Sequence, residues 1–262
     1  MNTKKIAIIG AGSWGTALSL HLAETFEKVF LWVYEKELCD LILKERENKW
    51  FLPGFHLPEN IIPDNSIEAV MQDQSVILMV TPTPTLRNIM AQLKPFIQPE
   101  SLIINASKGI ENDSLSTCHK IIMDSLKVPC DVATISGPTF AKEVAAKVPS
   151  ALLAASESAY AAKRVQEIFS SKYVKVFTST DVLGVEIGGA LKNVIAIATG
   201  ISDGLKLGFN TRAALITRGL VEITRIGTEL GAKPETFYGL SGLGDLVLTC
   251  TGDLSRNRQL GI

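Results

Sequence analysis

The feature that most constrains this chain stands near its start. Gly10-Ala11-Gly12-Ser13-Trp14-Gly15 follows the β-branched run at residues 5–9 and precedes a stretch with Leu18, Leu22 and Phe26 at four-residue spacing. An apolar run of that length reads as a strand buried on both faces, and the spacing after it reads as a helix. In a strand–turn–helix of this kind the first glycine permits the tight turn. The second lets the backbone approach a pyrophosphate, and the third lets helix and strand pack closely. The helix N-terminus then offers amide donors and the positive end of its dipole to the phosphates. Gly10, Gly12 and Gly15 are therefore expected to bind a dinucleotide.

Such a site calls for an acidic residue about 20 positions on, at the end of the second strand, to meet the ribose. Glu35 occupies that place, with Tyr34 beside it to cover the adenine and Lys36 next door with room for a 2′-phosphate. The spacing thus leaves both NADH and NADPH open.

Beyond the turn the alternation continues. Strands are expected at residues 29–33, 75–80, 101–105, 132–136, 151–155 and 174–177, and helices at 13–26, 38–46, 85–97, 115–126 and 159–169. Thr81-Pro82-Thr83-Pro84 reads as a loop, because proline removes backbone donors. From residue 181 onward no strand is expected, and 182–201 and 213–230 read as long helices, the second with Arg218, Glu222 and Arg225 on an exposed face. The fold class is α/β: an N-terminal Rossmann, doubly wound parallel sheet over residues 1–180, followed by an all-helical C-terminal domain over 181–262.

Composition narrows the function. The 262 residues carry 26 Lys and Arg against 27 Asp and Glu, a formal net charge of −1, so no basic excess suits nucleic acid. Cys39, Cys118, Cys130 and Cys250 show no C-x-x-C spacing, and only three histidines accompany them. Neither a metal site nor a disulfide framework is expected, and reduced thiols suit a cytoplasmic protein. The start of the chain does not fit a signal peptide. The most apolar stretch, 182–201, contains Glu186 and Lys192, which makes a membrane span costly and a buried helix the expected reading.

Several residues stand where ligands gather in such sheets, beyond the carboxyl ends of strands. Lys108 follows the strand at 101–105 and can contact a phosphate or a carbonyl. In Ser136-Gly137-Pro138-Thr139, Gly137 allows backbone approach, and Thr139 offers a hydroxyl and a helix cap. Lys192 lies in a helix apolar on most sides; burial of its ammonium would lower its pKa and fit it for proton transfer. Gly242-Leu243-Gly244-Asp245 places one carboxylate between flexible glycines. Ser255-Arg256-Asn257-Arg258 gathers cationic and hydrogen-bonding groups suited to phosphate oxygens.

The motifs GAGSWGTAL, ASKG at 106–109, SGPTFAKE at 136–143, GGALKNVIAIATGISDG at 188–204, NTRAALITRGL at 210–220, GLGDLVLTCT at 242–251 and SRNR at 255–258 resemble those of bacterial NAD(P)-dependent glycerol-3-phosphate dehydrogenases. The resemblance runs over essentially the whole chain. It implies reduction of dihydroxyacetone phosphate to sn-glycerol 3-phosphate, for phospholipid synthesis, with NADH or NADPH. It further implies that Ser13, Trp14, Tyr34 and Ala141 touch the cofactor, and that Lys108 contacts cofactor and substrate. Gly137, Thr139, Asp245, Ser255, Arg256 and Asn257 would hold substrate, Arg256 also near the cofactor, and Lys192 would transfer the proton. The family continues through further helices after SRNR, so the helical part is expected to be incomplete at its C-terminal side, and a homodimer is expected. The alternatives are a dehydrogenase of similar architecture acting on a hydroxy acid or sugar acid, and a dinucleotide-sensing regulator without turnover.

Overall fold

In a computed structural model, which describes residues 4–262, alternate side chains of the first strand enter two different cores. Strand β1 (Lys5–Ile9) sends Ile6 and Ile8 to one face of a sheet and Ala7 and Ile9 to the other. A strand covered on both sides has no polar face, which is why the run after Lys5 is apolar throughout.

The chain proceeds through α1 (Ser13–Leu22), β2 (Lys28–Trp32), α2 (Lys36–Glu45), β3 (Ile61–Asp64), α3 (Ile67–Met71), β4 (Val76–Met79) and α4 (Thr83–Leu93). It continues with β5 (Leu102–Asn105), α5 (Cys118–Ser125), β6 (Asp131–Ser136), α6 (Ala141–Ala145), β7 (Ser150–Ala155), α7 (Ala159–Phe169) and β8 (Val174–Ser179). The strands form one sheet in the order β3-β2-β1-β4-β5-β6-β7-β8. Neighbours are parallel except β7, which runs antiparallel to β6. The order turns back beside β1, and the crevice at its carboxyl end, between β1 and β4, is where a doubly wound sheet binds ligands.

From Val182 the described chain is helical: α8 (Val182–Gly204), α9 (Gly208–Glu229), α10 (Pro234–Phe237), a π-helical turn at Leu240–Gly244, α11 (Asp245–Thr251) and α12 (Arg256–Gly261). Ile187 and Ala196 of α8 meet Ile223, Phe237, Leu246 and Cys250 in a third core. Asp181 caps α8, accepting the Gly184 N–H at 3.0 Å. Its other oxygen accepts the Lys233 N–H and the Thr236 hydroxyl, which fastens α10 to the start of α8. Helix α8 is long and apolar enough to cross a membrane. It packs instead against α9, α11, α12 and β6, and it buries Glu186 and Lys192 in polar networks described below.

Several local readings differ from the sequence expectation. Strand β3 is not among the expected strands; it lies at the sheet edge, where the donor missing at Pro63 is tolerated. Residues 81–84 are not wholly loop: α4 begins at Thr83, with Pro84 in the first turn, where its absent N–H has no intrahelical partner to lose. Thr139 does not cap the helix that follows. Its hydroxyl donates to the Gly137 carbonyl, and Phe140 holds the cap position without a side-chain bond. Helix α9 starts at Gly208 rather than near 213. The exposed Arg218–Glu222 pair on it forms as expected, at 3.0 Å.

Candidate active site

The glycine turn between β1 and α1 is built by close backbone approach. Gly10 has φ +120°, and a Cβ there would stand 2.5 Å from the Val80 carbonyl oxygen. A Cβ on Gly15 would collide with the Gly10 carbonyl. Gly12, by contrast, faces open space, with no atom within 4 Å of a Cβ position. It is also the N-cap of α1, and no side chain caps that terminus. Asn48 steadies the turn from behind, donating to the Ala11 carbonyl and to Thr16 Oγ1, each at 2.8 Å. Two packed glycines, one open glycine and an uncapped helix start fit the pyrophosphate of a dinucleotide.

Most of the remaining cofactor candidates fall on the elements that follow the turn and on α6. Ser13 and Trp14 form the first turn of α1. Tyr34 lies just past β2, 72% exposed and edge-on to Trp32. Asn65 donates to the carbonyls of Val33 and Tyr34 and so fixes the loop. Glu35 is the N-cap of α2 beside it. Ala141 opens α6, which packs against α1.

The candidate chemical centre lies where the sheet meets the helices. Lys192, 8% exposed, donates to Asp245 Oδ1 at 2.5 Å, and Lys108 donates to Asp245 Oδ2 at 2.6 Å. Asp245 is 1% exposed and begins α11. The π-helical turn before it presses on α8 because Gly188 has no Cβ: one there would stand 2.8 Å from the Ser241 carbonyl oxygen. Gly189 does the same on the sheet side, where a Cβ would meet Ser136 Oγ at 3.3 Å and the Lys108 stem at 3.5 Å. Two glycines of α8 thus bring the two amines to one carboxylate.

Two cations on one anion leave a net positive charge in a poorly hydrated place, suited to an oxyanion or a phosphorylated ligand. Burial lowers the Lys192 amine to about 8, helped by the Lys108 charge and opposed by Asp245. That value places its proton exchange near neutral pH.

Gly137, φ +149°, packs against the Ala151 carbonyl at the end of β6, and Thr139 follows it. In the SRNR segment the four side chains divide. Ser255 is buried, and its Oγ accepts the Arg258 N–H, capping α12. Asn257 donates to Asn193 Oδ1 at 2.7 Å, next to Lys192 in sequence. Arg256 is exposed. Arg258 turns inward to Asp203 at 2.7 Å, and Asp203 also holds Arg212, so this arginine ties α8, α9 and α12 together.

Glu186 was weighed in the sequence only as an obstacle to a membrane span. It is 7% exposed, and its Oε1 accepts from the Asn105 side chain and the His119 N–H, each at 2.9 Å, and from Thr134 Oγ1 at 3.3 Å. Burial raises its carboxyl to about 7, opposed by hydrogen bonding from Thr117, His119, Thr134 and Asn105. The available signal was a carboxylate in an otherwise apolar helix; its partners, 52 to 81 positions away, had none.

The chain matches two family models, described as NAD-dependent glycerol-3-phosphate dehydrogenase N-terminus over residues 5–162 and C-terminus over 181–262. It is 52% identical to a glycerol-3-phosphate dehydrogenase [NAD(P)+] of Citrifermentans bemidjiense, covering 99% of this chain and 78% of that one. A second relative of the same name, from Geobacter sulfurreducens, is 51% identical with the same coverage. Among solved structures, a glycerol-3-phosphate dehydrogenase from Coxiella burnetii superposes with a TM-score of 0.96 at 43% identity, covering 100% of this chain and 80% of that chain.

Proposed function

Because the chain belongs to the NAD-dependent glycerol-3-phosphate dehydrogenase family, an NAD(P)-dependent oxidoreductase family acting on a CH–OH group, we propose that its reaction is carried out at the Lys192–Asp245–Lys108 cluster. The reaction interconverts dihydroxyacetone phosphate and sn-glycerol 3-phosphate, and the family match sets aside both a hydroxy-acid or sugar-acid dehydrogenase and a regulator without turnover. The observation that carries the assignment is the buried amine of Lys192 on Asp245, where α8 packs near the carboxyl end of β6 and the Lys108 stem.

NADH or NADPH, when bound, supplies the hydride. Lys192 in its ammonium form donates a proton to the carbonyl oxygen as charge develops there, and in the oxidation direction the neutral amine takes the hydroxyl proton. Asp245 holds both amines at fixed separation. Lys108 adds a second positive charge toward cofactor and substrate. Gly137 and Thr139, just past β6, hold the substrate, and Ser255, Arg256 and Asn257 bind the phosphate, Arg256 with its exposed fork. Phosphate binding remote from the carbon places the ketone for reaction. Gly10, Gly12, Gly15, Ser13, Trp14, Tyr34 and Ala141 hold the dinucleotide.

On this reading residues 1–180 form the cofactor unit and 181–262 the substrate unit. The product serves phospholipid synthesis in the cytoplasm, consistent with four unbridged cysteines. The exposed Val194, Ile201, Leu205 and Phe209 favour a homodimer.

Oxidation of NADH and NADPH with dihydroxyacetone phosphate tests the assignment. Lys192→Ala is expected to lower kcat by roughly 10²- to 10⁴-fold, and Arg256→Ala to raise KM with a smaller change in kcat. Near-normal turnover by Lys192→Ala removes that residue from its role, and an unchanged KM removes Arg256 from the phosphate.

A further inference from the structure

We propose that Glu186 is a positioning residue for Lys108: its buried carboxylate ties α8, which carries Lys192, to β5, β6 and α5, and so fixes the spacing of the two amines about Asp245. The inference rests on the assignment of that cluster as the reactive centre.

Three observations support it. Oxygen Oε1 of Glu186 gathers donors from three separate elements: Asn105 at the end of β5, Thr134 on β6 and the backbone of His119 in α5. The Lys108 loop runs between two of these elements, β5 and α5, and β6 pairs with β5 beside it.

The tie then passes directly into that loop. Asn105 Oδ1 accepts the Ser107 N–H at 3.0 Å, and Asn105 Nδ2 also donates to the Ser107 carbonyl at 3.3 Å. The next residue is Lys108. Ser107 Oγ in turn accepts the Thr81 N–H at 3.0 Å, which pins the loop to the end of β4. One amide side chain therefore clamps the residue before Lys108 from both backbone directions, and Glu186 sets where that amide sits.

The third observation is energetic. A buried carboxylate without a cation is costly, and a hydrophobic residue of similar size would fill an apolar helix more cheaply. No lysine or arginine pairs with Glu186 among the described residues. Ser136 Oγ is buried without a hydrogen-bond partner, and Ser136 and Glu186 line one small cavity with Lys108 and Gly189. The polar cost thus accumulates directly behind the Lys108 stem, where loop placement bears on the reaction.

A double-mutant cycle in the intact protein tests this. Glu186→Asp retracts the carboxylate by one methylene, and kcat is expected to fall roughly 10- to 100-fold, the scale of an ångström-sized misplacement, with dinucleotide affinity by fluorescence titration unchanged. Glu186→Gln keeps the length and the accepting oxygen and should recover kcat to within about threefold of the parent. Lys108→Ala combined with Glu186→Asp should be no slower than Lys108→Ala alone, because the two act through one group. If Glu186→Asp does not fold, Asn105→Ser takes its place in the same cycle with the same expectations. A kcat for Glu186→Asp within twofold of the parent, or additive losses in the double variant, overturns the proposal. Turnover retained by Lys192→Ala overturns the underlying assignment instead, so the two failures are distinguishable.

Discussion

At the residue scale, the proposed chemistry depends on one amine held between two opposing influences. Burial and the neighbouring Lys108 charge favour the neutral form of Lys192, and Asp245 favours the charged form; the balance puts it at about 8, below the ordinary 10.5. Ketone reduction needs the ammonium, so its kcat/KM should be level below pH 8 and fall about tenfold per unit above it. Alcohol oxidation needs the neutral amine and should rise through the same range to a plateau. Steady-state rates in both directions across pH 6–10 check this, and parallel profiles would remove Lys192 as the shared group. The same residue affects stability with a definite sign. Its folded pKa is depressed, so the unfolded chain binds more protons between about 8 and 10.5. The destabilisation it causes is therefore full below pH 8 and fades as pH rises through that window.

At the element scale, the glycine turn separates folding from binding within a few residues. Gly10 lies at φ +120° against Val80, whereas Gly12 has φ −67° and nothing in reach of a Cβ. Gly10→Ala should destabilise the fold by about 3 kcal/mol through strain and overlap, read as a lowered Tm. Gly12→Ala should leave Tm within a degree or two and weaken dinucleotide binding by about tenfold or more, since the methyl enters the space of the phosphates. Equal losses of Tm would show that both glycines serve packing. Helix α8 divides in a similar way. Gly188 and Gly189 admit the π-helical turn and the Lys108 stem, while Glu186, about one turn earlier, anchors the helix to the sheet.

At the scale of the whole molecule, an eight-stranded sheet with two cores joins a helical part with its own smaller core. The proposed site lies at the junction, because Lys108 follows a strand of the sheet and Lys192 and Asp245 come from the helices. A ligand that binds only this folded junction must stabilise it. NADH at 100 times its dissociation constant should add about 2.7 kcal/mol, read as a raised Tm, with a further rise on adding glycerol 3-phosphate. No rise with either nucleotide would contradict cofactor binding at the glycine turn.

Much of this was present in the order of residues alone. The glycine turn, the alternation of strands with helices, the change near residue 180 and the spaced Lys108, Gly137, Lys192 and Asp245 motifs are local patterns. Local spacing is what decides helix, strand and turn. What only tertiary structure decided is how distant groups meet. Lys192 finds its carboxylate 53 positions along the chain, β7 inserts antiparallel, and Arg258 is drawn into an internal ion pair while Arg256 stays outside. Glu186 acquires partners from three elements. Protonation and orientation follow from burial and from neighbours remote in sequence, and no spacing rule encodes which remote residues those are.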